Sequence, residues 1–474
     1  MKPQSGLRLR LRLRLRLRLR LRSRSYGWVA TTSLVAAGLG GAGAHAQGSG
    51  DDVAALRAEV AELRAELAEW KQSDQERWLD DQRADQVRAI AREVMADAER
   101  RSGEMRSALN AGYDGQFFLA SASDDFRLGL FGVVQLQAIA NLQDDPPGDD
   151  GESGLQLRRV RLGAEGYVGD PRVTYTVVLQ ADDEDGGDIF LSDGYVGYDL
   201  GGGYGLRAGE FRLPFLGEEA TSFSKVLGPD RSVFNEAFTL DRGQGVRLAY
   251  AGDAAYRWWV ALSDGADSEG LSFDQDASDF AITGRTEYKL AGDWAQRKDF
   301  SAWSGEELGV FWGAAGHVEL GETGQDLPDR DVFTWTVDSL IEQDGGSLQV
   351  AFAGLHVDPD SGPGLDHYGL VVQGGHFVVP DLWQVFGGWT YLMIDDVGLP
   401  AGSDDRLNAL TAGINYFAVP GRVKLTGDVV VLLDQAQRLP GSFNSPTSAT
   451  TGLLPDTPGD GGQVLLRLQV LVLF

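Results

Sequence analysis

From about residue 115 to residue 474 apolar and polar side chains alternate, and this period of two constrains the fold more than any other feature of the chain. Phe126, Leu128, Leu130, Val134, Leu136 and Ala138 alternate with Arg127, Gly129, Gln135, Gln137 and Asn141. The next two segments set Val160, Leu162, Ala164 and Val168 against Arg159, Arg161, Glu165 and Tyr167, then Val173, Tyr175, Val177 and Leu179 against Arg172, Thr174, Thr176 and Gln180. Connections of two kinds follow one another in turn. The short ones are Gly169-Asp170, Gly201 to Gly203, Gly252-Asp253, Gly292-Asp293, Asp344 to Gly346, Pro380-Asp381 and Pro420-Gly421. The long ones are Asp144 to Gly154, Asp182 to Asp188, Leu213 to Arg242, Asp264 to Asp279, Gly321 to Arg330, Asp358 to Gly364, Asp395 to Asp405 and Asp434 to Gly461. Eight long and seven short connections join sixteen strands, and short turns on one rim with long loops on the other are how outer-membrane barrels are built. A soluble sandwich alternates in the same way. The rim asymmetry, an export signal and the lack of a domain break favour the barrel. The expected fold is therefore all-β, a transmembrane antiparallel β-barrel of about 16 strands over residues 121–474, preceded by a periplasmic α-helical coiled coil.

Residues 1–46 have the form of an export signal: a basic start, a weakly apolar stretch from Tyr26 to Ala44, and Ala44-His45-Ala46 as the cleavage site. Within it Leu-Arg repeats eight times from Leu7 to Arg22, a repeat to which no function is given. No later run of 18 apolar residues exists, which excludes a helical membrane span. The signal holds ten Lys and Arg and no acid, so the rest of the chain carries 32 basic against 70 acidic residues, a net charge of -38 that argues against a nucleic-acid partner. The absence of cysteine excludes a disulfide scaffold, a Cys-based zinc site and a Cys nucleophile. From Val53 the apolar positions Leu56, Val60, Leu63, Leu67 and Trp70 follow at alternating steps of three and four, the seam of a coiled coil over residues 51–103. The seam breaks register between Ser73 and Gln82, and a single amphipathic helix packed on its own domain is the competing reading. Residues 104–120 are expected to be a linker. Both ends of the barrel fall on the short-turn rim, so the stalk is expected on the periplasmic side. The last strand, Gln463 to Phe474, ends on an aromatic residue and resembles the signal read by the barrel-assembly machinery of Gram-negative bacteria.

Two segments carry a resemblance to a known family. They are Leu157-Arg158-Arg159-Val160-Arg161 running on to Gly166, and Leu206 to Phe215 followed by Thr221-Ser222, Asp230-Arg231-Ser232 and Asp241 to Val246. In this order they resemble the phosphate-selective porin O and P group of outer-membrane porins. The resemblance, over about residues 115 to 474, implies a sixteen-stranded trimeric channel. In it the connection between the fifth and sixth barrel strands folds inward as a constriction, and basic residues line the pore. The chain departs from the group in having only five lysines after the signal: Lys71, Lys225, Lys289, Lys298 and Lys424. The resemblance thus implies the channel more directly than phosphate as its solute.

Strand parity puts Arg159, Arg161, Arg172, Arg207, Arg247, Arg422 and Lys424 on the face away from lipid, where an unpaired cation would otherwise cost about 2–4 kcal/mol at the bilayer midplane. They are pore-lining candidates, either as a stepping path for anions or paired with Glu165, Asp193, Asp199 and Asp428. Arg212 and Arg231 lie at the ends of the constriction loop, as solute contacts or as its anchors, and Phe474 is the assembly-signal candidate. The acidic runs Asp149 to Glu152, Asp182 to Asp185 and Asp274 to Asp279 lack calcium-loop spacing and are taken as solvated loop. His317, His356, His367 and His376 lack metal-binding spacing and are expected to face solvent or the membrane interface. Trp258, Trp259, Trp294, Trp303, Trp312, Trp335, Trp383 and Trp389 suit interfacial girdles. The expected function is a non-enzymatic diffusion channel for small hydrophilic solutes, anions such as phosphate among them, with no cofactor and no metal. Its expected partners are outer-membrane lipid and lipopolysaccharide, two further copies in a homotrimer, the barrel-assembly machinery and peptidoglycan. The alternative is a barrel that tethers the outer membrane to the cell wall through the stalk.

Overall fold

The computed structural model describes residues 109–143, 151–181, 189–268, 270, 278–321, 330–448, 451–457 and 461–474, together with Glu62 and Glu93. Contacts divide the chain into two units, residues 1–98 and 99–474. In the first, Glu62 and Glu93 are helical and exposed. The export signal, the rest of the expected stalk and the run Asp182 to Asp185 lie outside the described residues.

In the second unit, β1 (Leu109–Tyr113) and β2 (Phe117–Ser121) form a hairpin where residues 104–120 were expected to be a linker, reaching one residue past it. The barrel strands are β3 (Phe126–Gln143), β4 (Gly151–Val168), β5 (Asp170–Ala181), β6 (Ile189–Gly201), β7 (Tyr204–Arg212), β8 (Arg242–Tyr250), β9 (Tyr256–Ser263) and β10 (Phe280–Ala291). They continue as β11 (Gly309–Leu320), β12 (Arg330–Gln343), β13 (Gly346–Pro359), β14 (Leu365–Val379), β15 (Trp383–Met393), β16 (Arg406–Val419), β17 (Val423–Leu432) and β18 (Gln463–Leu473). Each pairs antiparallel with its neighbour, and β18 pairs with β3, closing a barrel of sixteen strands. No described helix is long and apolar enough to cross a membrane.

The alternation turns apolar side chains such as Leu136, Leu162, Val177, Leu206, Val246 and Leu262 outward, exposed. Near the short-turn rim Tyr204, Tyr250, Tyr256 and Trp258 cluster with ring centroids 4.9 to 6.2 Å apart, forming part of an outward aromatic girdle. The hairpin of β1 and β2 pairs with the start of β3, below the point where β18 stops.

Connections from both rims fold into the lumen. From the long-loop rim comes 213–241, with helices α1 (Gly217–Ala220) and α2 (Val233–Phe238). Its apolar face, including Phe215, Leu216, Phe234 and Phe238, packs in one core with inward residues of β12 to β17 such as Val332, Ala353, Val371 and Leu392. The β17–β18 connection also enters, with Asn444 Nδ2 donating to Thr239 O at 3.4 Å and Arg330 Nη1 to Gly441 O at 2.6 Å. Another is a correction. Gly292-Asp293 is not a minimal turn, because residues 292–308 form a plug rising from the short-turn rim with Trp294 and Phe300 buried. Trp303 packs on Phe377 and Phe417 beside it, so neither Trp294 nor Trp303 belongs to a girdle. His317 and His367 are likewise buried, the first between Thr283 and Glu319 and the second against Pro440 O, rather than facing solvent or the interface. Polar partners available inside the lumen, which single-strand spacing does not reveal, account for both.

Candidate functional site

With the loop's apolar face against β12 to β17, the open path is left on the opposite side, a cavity of about 900 Å³ bounded by β4 to β8 and the loop's polar face. Arg158, Arg159 and Arg161 of β4, Arg212 of β7 and Arg242 of β8 line its wall, joined by Arg231 from the loop and Arg438 from the β17–β18 connection. Five carboxylates, Glu210, Glu219, Glu236, Asp241 and Asp267, share it with these seven arginines.

A bulge supplies part of this charge. Gln135 pairs with Arg159 but Gln137 pairs with Gln156, so β4 fits one extra residue into the ladder. Two consecutive residues, Arg158 and Arg159, are therefore both buried on the lumen side, where strict alternation would send Arg158 into lipid. Arg158 Nε donates to Asp230 Oδ1 at 3.1 Å, and Arg159 lies 4.0 Å from the same oxygen. The guanidinium groups of Arg159 and Arg161 stand 4.4 and 4.8 Å from the Phe223 ring centroid. Arg161 donates to Gln180. Arg207 and Arg247, directly opposite one another on β7 and β8, face the lumen nearer the short-turn rim, Arg207 at 3.7 Å from the Tyr195 ring centroid. Among the described residues no carboxylate is within 4 Å of Arg161, Arg207, Arg231 or Arg247.

The remaining candidates hold the structure together. Arg172 pairs with Asp170 at 2.7 Å on the short-turn rim, away from the constriction. Arg422 donates to Gly115 O and stands 5.3 Å from the Tyr113 ring centroid, fastening the hairpin. Lys424 Nζ donates to Val226 O at 2.9 Å, under the loop. Arg212 joins the loop's ends through Glu219 and Asp241, the latter at 3.1 Å. Arg231 donates to the carbonyls of Glu219 at 3.3 Å and Thr221 at 3.0 Å. The expected acidic partners are engaged differently: Asp428 binds Arg467 at 2.6 Å, and Asp193 lies 3.4 Å from Arg242. Phe474 exchanges backbone hydrogen bonds with Gly132, N to O at 3.0 Å and O to N at 2.8 Å.

Spacing alone missed a second set. Arg285 binds Asp338 and Glu287, both at 2.8 Å, and donates to Phe215 O at 2.8 Å; Arg297 of the plug binds Glu287 at 2.8 Å and donates to Gly217 O at 3.2 Å. This buried network clamps the plug, the wall and α1 together. Electrostatics within the loop are uneven. Burial opposes the charge of Asp230, but Arg158, Arg467 and Arg159, with a hydrogen bond from Gln137, hold its pKa at about 2. Burial, then the nearby Asp230 charge, push Glu236 up to about 7, and burial also raises Glu219. Among the described residues no group of three or more His, Asp or Glu could hold a metal.

A closed sixteen-stranded barrel with an outward apolar belt, an inward-folded loop and a charged constriction is a porin-type channel of the outer membrane. The profile of the phosphate-selective porin O and P family matches residues 135–426, well over half of the chain, and the chain belongs to that family. No curated protein sequence matches it. Among solved structures it is similar to an anion-selective porin from Comamonas acidovorans, with 15% identity over 73% of this chain and 99% of that one and a TM-score of 0.52. It is also similar to the outer membrane channel DcaP of Acinetobacter baumannii, with 14% identity over 77% and 100% and a TM-score of 0.51. At such identities the likeness is one of fold. The chain is thus a passive diffusion channel for small hydrophilic solutes; cell-wall tethering has no support beyond the stalk seam.

Proposed function

We propose that this porin prefers anions, phosphate among them, and performs no covalent chemistry. The observation that carries the reading is the constriction itself: seven arginines against five carboxylates, of which Glu236 has a pKa near 7. In a narrow lumen with low-dielectric walls such fixed charges concentrate counter-ions, and guanidinium groups without carboxylate partners can exchange them for water. Arg159 and Arg161 form the upper step of the path and Arg207 and Arg247 the lower. Arg212 and Arg231 set the loop's position, while Arg172, Arg422 and Lys424 act on the rim and the loop foot. The protein works as a homotrimer, the assembly that the family resemblance implies, and the Val and Leu seam that starts at Val53 finds its partner helices in that oligomer. Lipopolysaccharide and, through Phe474, the barrel-assembly machinery complete its partners. The test is the reversal potential of the purified protein in planar bilayers under a KCl gradient, with phosphate added as a blocker. Anion preference and block by phosphate are expected; cation preference overturns the reading.

A further inference from the structure

Below the foot of the constriction loop, toward the short-turn rim, a second cavity of about 310 Å³ lies between the plug and the inner wall at the β16–β17 turn. It shares no lining residue with the arginine chamber. The two are separated at Phe223, which carries Arg159 and Arg161 on its ring and packs with Val133 and Leu471. Beyond Leu471 the chemistry changes.

Trp303 and Phe417, edge to face with centroids 5.1 Å apart, and Leu471 and Leu473 of β18 make an apolar lining, unusual inside a channel for polar solutes. Two ammonium groups reach the same space. Lys225 is exposed and has no ion pair among the described residues; Lys424 is buried and gives one of its three N–H groups to Val226 O. The guanidinium of Arg422 lines it as well, and against these three cations stands one carboxylate, Asp299, which accepts a hydrogen bond from Ser301 N at 3.0 Å and faces both lysines. An apolar slot with a positive end disfavours three solute classes relative to an amphipathic anion. Organic cations meet three cationic side chains against one carboxylate, neutral arenes leave the excess positive charge unanswered, and inorganic anions gain nothing from Trp303 and Leu471. What satisfies both ends is a carboxylate with an apolar body, and the volume, at the lower end of ligand cavities of about 300–1,000 Å³, holds a single ring with its head group.

We propose that this cavity is a binding site for amphipathic organic monoanions, with the carboxylate on Lys225 and Lys424 and the apolar body against Trp303 and Leu471. The site lies outside the constriction, so its failure and the failure of anion preference are separate events. Even a cation-preferring channel would show the binding.

The experiment is calorimetric titration of the full chain in lipid nanodiscs with benzoate, acetate and benzamide, each variant first checked for heat-modifiable migration. Benzoate is expected to bind saturably, one per chain, with acetate and benzamide at least about tenfold weaker because each lacks one of the two contacts. Lys225→Gln, at an exposed position, and Trp303→Leu are each expected to weaken benzoate by roughly tenfold, while Arg159→Gln with Arg161→Gln leaves it unchanged. No benzoate binding, equal binding of acetate, insensitivity to both the Lys225 and Trp303 replacements, or loss in the double arginine variant would each overturn the assignment.

Discussion

Arg158 and Arg159 are adjacent in sequence yet both enter the lumen, and the bulge that allows this decides how much positive charge the constriction holds. If selectivity comes from nearby fixed charge, Arg159→Gln with Arg161→Gln should move the reversal potential toward cations by roughly 10 mV or more in a tenfold KCl gradient, against the ~59 mV limit for univalent ions. Removing the exposed rim carboxylates Asp358 and Asp360 should move it little, since charges beyond a Debye length of about 8 Å are screened at physiological salt. A larger effect from the rim pair would mean that the lumen arginines are not the selecting charges. Glu236 adds a pH dependence. Half-buried beside Asp230, with Arg158 and Arg231 favouring its charged form, it has a pKa raised to about 7 and loses its proton as pH rises through that value. Raising the pH from 6 to 8 therefore adds a negative charge to the constriction, and anion preference should fall over that range; Glu236→Gln should flatten the profile. The sign for stability agrees. The folded state holds a proton that the unfolded chain releases at the ordinary carboxyl value, so this contribution is present at low pH and is lost as pH rises through about 7. The arginine-paired Asp230 acts oppositely, with a contribution lost as pH falls toward about 2.

At the scale of elements, the strands were legible because one face meets lipid and the other water, so burial writes itself as period two. Arg161, Arg207 and Arg247 were placed by that rule alone. Arg158 broke it, although two adjacent arginines before Val160 cannot both face the lumen without an extra residue in the ladder, so the bulge was there to be inferred. The plug was hidden for a different reason. Gly292-Asp293 has turn chemistry, and the Trp294 and Trp303 that follow look like girdle residues until their partners, the loop foot and the inner wall with Phe311, Phe377 and Phe417, are known. Nor can spacing reveal that Arg285, Glu287, Arg297 and Asp338 meet. Their clamp carries its own prediction. Removing one member of a buried ion pair costs about 3–5 kcal/mol where the other is left uncompensated, but Glu287 keeps Arg285 when Arg297 is lost, so the barrel should survive. Arg297→Met should free the plug from α1, raise single-channel conductance by roughly half and add open-channel noise, with Arg297→Lys intermediate. Unchanged conductance with intact heat modifiability would show that the plug stands clear of the path.

For the molecule as a whole, closure rests on one seam, where the last strand finds the first. β18 pairs with β3 from Gln463 to Leu473, and Phe474 extends the ladder by two hydrogen bonds to Gly132. The fit is steric as well as polar, because a Cβ at residue 132 would lie 2.3 Å from the Phe474 ring. Glycine is required there by the aromatic residue across the seam, and the requirement separates two roles for Phe474. If it serves only as a recognition signal before folding, Gly132→Val should leave barrel levels untouched. If it also locks the seam, Gly132→Val should lower the heat-modifiable barrel in the outer membrane although Phe474 is intact. Phe474→Ala removes both signal and lock and should lower barrel levels several-fold while synthesis and export continue. It also empties the space that a valine at 132 would fill, so the double variant should be no worse than Phe474→Ala alone. Additive losses in the double variant would argue that residue 132 acts elsewhere, and normal barrel levels in Phe474→Ala would remove the seam and the signal together.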